Sequence, residues 1–150
     1  MSQVSRSTPF SGFPLIRTFA IEEAEAHLSR SLSNMQILSV ADRRRFQLFI
    51  SGVAFCRTSL VYNHFTIDTQ IRSKSPSDLL LFTVGNGVPA TFIMDGETVT
   101  VSPNKAAAVT LHNSVKAIRP GGSKVIVVKV SMAVLNSYFQ KITGQYQKSS

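Results

Sequence analysis

The sequence predicts a single, mainly β domain bracketed by two helices, and three observations support this fold class. Between about residues 34 and 130 the chain consists of about ten short β-prone runs separated by turn residues, a spacing typical of sandwiches and barrels. One amphipathic helical pattern precedes these runs and a second follows them. No composition break, low-complexity segment or internal repeat divides the 150 residues, a length that suits one domain with its own hydrophobic core.

Residues 1–18 are predicted to form an N-terminal tail or arm. They contain serine, arginine and two prolines but no acidic residue, a composition that also suits an organelle transit peptide or an edge segment. Pro9 and Pro14 would interrupt the amphipathic helix that a transit peptide requires, so we favour the tail.

Residues 19–32 are predicted to form the first helix. Its apolar residues recur at helical spacing and form one stripe: Ile21, Ala24, Leu28 and Leu32. Glu22 and Glu23 lie in the first turn and Arg30 near the other end, where each charge complements the helix dipole. Thr18 is the predicted N-cap.

The ten β-prone runs that follow are the predicted strands. They cover residues 35–40, 46–51, 58–62, 65–72, 79–84, 90–94, 97–101, 106–111, 115–118 and 124–130. Asp95-Gly96 predicts a tight hairpin, because a type I′ turn needs positive φ at both central residues. That turn pairs Met94 with Glu97. It places four apolar side chains on one face: Ala90, Phe92, Val99 and Val101.

Residues 131–143 are predicted to form the second helix. Ser131 is its predicted N-cap, and Gly144 stops it. Its apolar stripe consists of Met132, Leu135, Phe139 and Ile142. A stripe of this kind is expected to pack on the body of its own domain, although it could also pair with another chain.

The charge balance points to acidic partners. Sixteen basic residues against eight acidic ones give a formal charge of +8, which suits nucleic acid, anionic lipid or a small anionic ligand. However, no helix-turn-helix pattern lies between the two helices, and the second helix is poor in basic residues. We therefore expect DNA contact only through another segment.

The single cysteine and the hydropathy pattern indicate the cellular compartment in which the protein is expected. Cys56 excludes an intramolecular disulfide and suits a reducing compartment, and we expect it to be a small buried hydrophobe. No apolar run approaches the ~20 residues of a membrane span, and no signal-peptide core follows Met1. These features predict a soluble, cytoplasmic protein without membrane contact.

The motifs for catalysis are missing from the sequence. His27, His64 and His112 lack the close spacing of metal ligands, so no metal site is predicted. There is no Gly-x-Ser-x-Gly elbow, and acidic residues are too sparse to nominate a general acid–base pair. The sequence therefore predicts a protein that is not an enzyme and that carries no cofactor.

Four stretches of the sequence resemble, in their order, the N-terminal cupin-type domain of AraC/XylS-type transcription regulators: FCRTSLVYNHFTIDTQI, DLLLFTV, MDGETVTVSPNKAAAVTLHNS and KVIVVKVSMAVLNSYFQKITG. The resemblance covers about residues 19–144. It implies a cupin-type double-stranded β-helix (jelly roll), with an N-terminal helix and a C-terminal helix packed outside. Asn104 stands where the family commonly has glycine, a backbone conformation that asparagine also adopts.

The resemblance also implies how the chain is organised. Residues 19–144 would be a cupin-like regulatory domain, and residues 145–150 the start of a linker. In the family a DNA-binding domain of two helix-turn-helix units follows, and it is absent from this chain. Helices after the barrel often supply the dimer interface in the family, so a homodimer is a further expectation. The metal-binding histidines of enzymatic cupins are missing here, as expected for a sensor.

The sequence therefore predicts an effector-binding regulatory domain that senses a small molecule inside or at the mouth of the barrel. The predicted ligand-binding residues are Tyr62, His64, Arg72 and His112, with Arg57 as a further candidate. These cationic groups and the charge of +8 favour an organic or aromatic acid over a neutral sugar. Two alternatives stay open: a protein–protein interaction module without a ligand, and a cupin enzyme such as a metal-dependent isomerase or dioxygenase.

Overall fold

A computed structural model describes residues 10, 12–55 and 57–144. Cys56 and the linker expected at 145–150 lie outside these residues, as does most of the predicted N-terminal tail. Within the described part there are eleven strands and two helices. Their bounds are β1 Pro14–Thr18, α1 Ile21–Ser31, β2 Met35–Val40, β3 Leu48–Phe55, β4 Thr58–Phe65, β5 Thr69–Ser73, β6 Leu79–Gly87, β7 Ala90–Met94, β8 Glu97–Val101, β9 Ala106–Thr110, β10 Val115–Arg119, β11 Ser123–Ser131 and α2 Met132–Thr143.

The strands form two antiparallel sheets that face each other. The large sheet has the strand order β1-β3-β4-β11-β6-β9, and the small sheet has the order β2-β5-β10-β7-β8. The chain crosses repeatedly between the sheets, which gives the jelly-roll arrangement that the sequence predicted. Alternate residues of each strand point inward, and their apolar side chains fill the space between the sheets. Fully buried members of this core include Leu48, Phe65, Ala90, Val101 and Val125.

The Asp95-Gly96 hairpin has the predicted register. Met94 lies opposite Glu97, and the same ladder pairs the four apolar residues named above two by two. The φ angles of Asp95 and Gly96 are 47° and 79°, as a type I′ turn requires. Local turn chemistry thus determines how β7 pairs with β8.

The N-terminal segment differs from its prediction, because residues 14–18 form strand β1 and not a tail. β1 pairs with β3, with Thr18 opposite Leu48 and Ile16 opposite Ile50. Ile16 packs against the core, and the backbone pairing adds an edge strand to the large sheet. Because Thr18 still belongs to this strand, Ala20 and not Thr18 is the N-cap of α1.

The predicted strand at 65–72 is interrupted. β4 ends at Phe65 and β5 begins at Thr69, and the chain crosses from the large sheet to the small sheet in between. The crossing is held by hydrogen bonds outside the ladders: the Thr66 amide donates to the Gln47 carbonyl at 3.1 Å, and the Thr69 hydroxyl donates to the Ile67 carbonyl at 2.9 Å. Periodicity alone does not reveal this break, since β-prone residues continue through it.

The two helices are covered to very different extents. Ala24 and Leu28 of α1 are buried as predicted. At the start of α2, the Ser131 hydroxyl accepts a hydrogen bond from the Val134 amide at 3.1 Å, and Gly144 ends the helix with a φ of 66°, both as predicted. However, Phe139 is 50% exposed and Ile142 is 82% exposed, so the second half of the stripe does not pack on the barrel as expected. Met132 and Leu135, in its first half, are half-buried.

The exposure of α2 has a simple geometric origin. β11 ends at Ser131 and α2 begins at Met132, so no connecting loop folds the helix back onto the sheet. Asp78 holds the first turn instead: its backbone carbonyl accepts from the Met132 amide at 3.0 Å, and its carboxylate accepts from the Ala133 amide at 3.3 Å. Neither helix of the described residues is long and apolar enough to cross a membrane.

Candidate functional site

An open pocket of about 350 Å³ lies at one end of the jelly roll, between α1 and the inner face of the large sheet. We call it the mouth pocket. Its lining residues are Ile16, His27, Arg30, Ser31, Ile50, Gly52, Val53, Ala54, Ser59, Val61 and Lys129. Apolar side chains form most of its walls, and its volume lies at the lower end of the range of small-molecule sites, roughly 300–1,000 Å³.

Helix periodicity and strand pairing bring the polar groups of the mouth pocket together. His27, Arg30 and Ser31 are three and four residues apart on α1, so they share one face of the helix. Lys129 of β11 lies directly opposite Ser59 of β4. The inner face of β11 therefore changes from apolar residues in the core to a cation at the mouth.

Two hydrogen-bonding patterns fix the cations of the mouth pocket. The Lys129 ammonium donates to the backbone carbonyl of Ser31 at 2.9 Å, which ties β11 to the end of α1. Partial burial lowers the pKa of Lys129 below its ordinary value. The Arg30 guanidinium donates to the Ala26 carbonyl at 3.4 Å, and it lies 3.4 Å from the His27 ring.

The mouth pocket is electropositive. None of the residues described as lining it is acidic, whereas an arginine, a lysine and a histidine are present. Glu23 approaches His27 from one turn away, with 3.9 Å between its carboxylate and the imidazole. A partly buried cation without a carboxylate partner favours an anion nearby, since the ion pair offsets part of the desolvation cost. The pocket can therefore hold an anionic group with an apolar body.

Tyr62 and His64, two of the predicted ligand-binding residues, lie on the outer face of β4. Val61 and Phe65 of this strand point into the core, and strand alternation directs Tyr62 and His64 to the other side. Burial raises the pKa of Tyr62. His64 stacks on Phe49 with 5.6 Å between ring centroids, and burial lowers its pKa.

The other predicted residues lie elsewhere. Arg72 is exposed on the outer face of the small sheet and donates to the Gln36 side chain at 2.8 Å. His112 is exposed in the turn after β9, and Arg57 is exposed between β3 and β4. The outer faces of two facing sheets point in opposite directions, so the structure does not bring the four residues together. None of them lines the mouth pocket, and their binding of a ligand stays a prediction.

His27, Arg30 and Lys129 are not among the ligand-binding residues predicted from the sequence, although weak signals for them exist. His27 and Arg30 share a helix face with Ser31, and Lys129 interrupts the apolar alternation of Val125 and Val127. Neither signal specifies a site by itself. Only the fold reveals that the two segments meet.

The middle of the jelly roll is largely filled by its own side chains. The cavity there has a volume of about 40 Å³, far below that of a typical ligand site. Large apolar side chains from both sheets occupy the space, among them Met35, Leu81, Phe92 and Leu111. Of the two places where the sequence predicted an effector, the mouth has the required volume and the interior does not.

Over residues 10, 12–55 and 57–144, no three side chains of His, Cys, Asp or Glu lie together in an arrangement that could hold a metal ion. The three histidines lie on α1, on β4 and in the turn after β9, respectively.

Comparisons with known proteins bear on the fold. No family model matches the chain, and no curated protein is significantly similar to it. Among solved structures, the AraC-like transcriptional activator CuxR aligns with a TM-score of 0.65 and 10% identity, over 86% of this chain and 51% of CuxR. The cupin domain of Schizosaccharomyces pombe Cnp3 aligns with a TM-score of 0.50 and 7% identity, over 74% of this chain and 80% of that domain.

This chain spans about half the length of CuxR. At 10% and 7% identity, the two alignments support the architecture alone. They agree with the two facing antiparallel sheets described above. The chain has the cupin-type jelly-roll fold.

Proposed function

We propose that this chain is the effector-binding domain of a transcription regulator and that it senses a small organic acid in the mouth pocket. One observation carries the proposal: apolar walls and the cations Arg30 and Lys129 surround about 350 Å³ of open space, without an acidic residue among the described lining. The structural likeness to the transcriptional activator CuxR supports the regulatory part.

The pocket suggests how such an acid binds. The ligand carboxylate accepts hydrogen bonds from the Lys129 ammonium and the Arg30 guanidinium, charge-assisted bonds that are roughly twice as strong as neutral ones. The Ser59 hydroxyl lies opposite Lys129 and is available to the same carboxylate. The apolar body of the ligand covers Ile16 and Ala54, which are more exposed than the buried Ile50 and Val61 behind them, and its burial contributes about 25 cal/mol per Å².

The position of Lys129 links binding to the rest of the regulator. Lys129 precedes Ser131, the N-cap of α2, by two residues, and it already contacts the end of α1. A ligand on Lys129 therefore acts on both α1 and the base of α2. In the resembled regulators a DNA-binding domain follows the barrel, and we propose that α2 transmits the bound state toward such a domain.

A matched ligand pair tests the binding proposal. A thermal-shift and calorimetric screen compares aromatic and branched monocarboxylates with their neutral amides. We expect the acids alone to raise the melting temperature, because a ligand that binds only the folded state stabilises it. Lys129→Met keeps the apolar stem and should abolish the preference for acids.

Lys124→Met is the matched control, because Lys124 lies on the same strand but on its outer face. It should leave acid binding unchanged. Binding of amides and acids with equal affinity, or equal loss in both variants, would refute the proposed site.

A second function has support from α2. Tyr138, Phe139 and Ile142 form an exposed apolar surface, with Tyr138 63% exposed. Exposed apolar surfaces of this kind often mark contacts between chains. We propose that this surface mediates a homodimer. Light scattering across protein concentrations should detect a dimer that Phe139→Asp dissociates, whereas Asn136→Asp on the same helix leaves it intact. A monomer at every concentration would exclude this function.

A further inference from the structure

Arg119 is a buried cation in the middle of the jelly roll. It lies at the end of β10, points into the space between the sheets and is 3% exposed. Among the described residues it is the only charged side chain that is buried to this extent. A charge is costly in such surroundings unless it is paired, so the partners of Arg119 decide how it is tolerated.

The partners of Arg119 within the described residues are all neutral. Its Nε donates to the Ser123 hydroxyl at 2.8 Å, and Nη2 donates to the backbone carbonyls of Ser123 and Asn63 at 3.2 and 3.3 Å. Nη1 donates to the Asn63 side-chain oxygen, and the guanidinium lies 4.8 Å from the centre of the Phe65 ring. These bonds use four of the five N–H groups of an arginine, and no carboxylate within residues 10, 12–55 and 57–144 forms an ion pair with it.

A second unsatisfied polar group lines the same cavity. Thr83 of β6 is 1% exposed, and its hydroxyl has no hydrogen-bond partner among the residues that the structure describes. Both Thr83 and Arg119 line the interior cavity of about 40 Å³. Buried hydroxyls are nearly always hydrogen-bonded, so an unpartnered one that faces a cavity indicates an occupant that accepts or donates a hydrogen bond.

We propose that this cavity binds a small monovalent inorganic anion of the size of chloride, held by the guanidinium of Arg119 and the hydroxyl of Thr83. The free Nη1–H and the Thr83 O–H both donate, which suits an anion. The volume accommodates one such ion and excludes organic acids, so this site is distinct from the mouth pocket.

The electrostatic surroundings favour an anion over water. Burial lowers the pKa of Arg119 to about 9, which reflects a guanidinium whose charge has lost its hydration without gaining a counter-ion. Lys124 on the outer face of the large sheet adds positive potential, which, together with that of Arg119, lowers the pKa of His64. A water molecule would satisfy the hydrogen bonds but would leave this positive potential uncompensated.

Arg119 also lines a surface cleft of about 260 Å³ at the junction of β5 and β10. Asp68 borders this cleft, and its carboxylate accepts a hydrogen bond from the Gly121 amide at 2.6 Å. Arg119 therefore borders both this cleft and the interior cavity.

The test compares salts with small and large anions. Thermal unfolding of the protein is followed in sodium chloride, sodium bromide and sodium gluconate at equal ionic strength and pH. We expect chloride and bromide to raise the melting temperature with saturation, because an ion that binds only the folded state stabilises it. Gluconate is too large for the cavity and should have no such effect.

The variant Thr83→Val tests whether the rise in melting temperature arises in the cavity, since it replaces the hydroxyl by a methyl group of similar size. The variant should lose most of the difference between chloride and gluconate, whereas Thr110→Val, at an exposed position of the neighbouring strand, should keep it. Crystals grown in bromide should show an anomalous peak beside Arg119. Equal melting temperatures in all salts, an unchanged salt effect in Thr83→Val, or a cavity that contains water only would overturn the proposal.

Discussion

The mouth and the middle of the jelly roll each place a cation on the inner face of a strand, but the two cations differ in their hydrogen bonding and in the open space beside them. Arg119 in the middle donates most of its N–H groups to protein acceptors, and a cavity of about 40 Å³ lies beside it. Lys129 at the mouth has one acceptor in the described part of the chain, the Ser31 carbonyl, and lies beside about 350 Å³ of open space. A cation is thus available for sensing where the barrel leaves it with free N–H donors and accessible to a ligand.

The largest expected effect comes from removing each cation in turn. Arg119→Met leaves the Asn63 side chain and the Ser123 hydroxyl buried without their donor, and each such loss costs about 1–3 kcal/mol. We expect the free energy of unfolding to fall by about 3 kcal/mol. Lys129→Met should change it by less than about 1 kcal/mol, because this lysine is only partly buried. Urea unfolding measures both variants, and equal losses would contradict the contrast.

A smaller effect is expected from filling the mouth pocket without touching its charges. Ala54 lines the pocket and is exposed, so Ala54→Phe should occupy the space at little cost in stability. We expect organic acids to bind at least about tenfold more weakly, equivalent to about 1.4 kcal/mol. Ala108→Phe, at an exposed position of β9, serves as the control. Calorimetry measures the affinity for organic acids, and an unchanged affinity in Ala54→Phe would show that the acids bind elsewhere.

The smallest effect concerns the outer face of the large sheet. Burial, Lys124 and Arg119 all lower the pKa of His64 in the folded protein, so the folded state disfavours the imidazolium. The unfolded chain then binds more protons than the folded one as the pH falls below about 6.5. Stability should therefore decrease as the pH falls through this range. His64→Phe should show a shallower decrease between pH 7 and pH 5 in urea unfolding, and a slope identical to that of the parent protein would contradict this.

The His64→Phe variant also distinguishes the mouth pocket from the ligand-binding residues that were predicted from the sequence. His64 was predicted from the sequence as a ligand residue, yet it lies on the opposite face of β4 from the core residues Val61 and Phe65. If the mouth pocket is the site, His64→Phe should bind organic acids as the parent protein does. A loss of binding would favour the residues that were predicted from the sequence.

Much of the fold was predictable because it depends on local patterns. The Asp95-Gly96 turn determined its own hairpin register, and the stripe of α1 determined which face is buried. The stripe of α2 was equally clear, but its burial depends on the direction in which the helix leaves β11. That direction is a tertiary property, and no periodicity encodes it.

The candidate site was less predictable because its parts are far apart in the sequence. Lys129 and Ser31, which meet at the mouth, are 98 residues apart. On β4, Tyr62 and His64 alternate with Val61, Asn63 and Phe65, and the inward face includes the polar Asn63. Polarity alone therefore did not distinguish the two faces of this strand. Cations on the surface also outnumber the few that border a pocket, so charge could predict the class of ligand but not its location.

The central claim, that the inner face of the mouth binds an organic acid, is tested most directly by methyl NMR. Ile50 and Val61 point into the mouth pocket, whereas Ile126 and Val128 lie on the outer face of the same sheet. Titration with an aromatic monocarboxylate should shift the methyl signals of Ile50 and Val61 with saturation and leave those of Ile126 and Val128 unchanged. Saturable shifts confined to Ile126 and Val128 would contradict the claim.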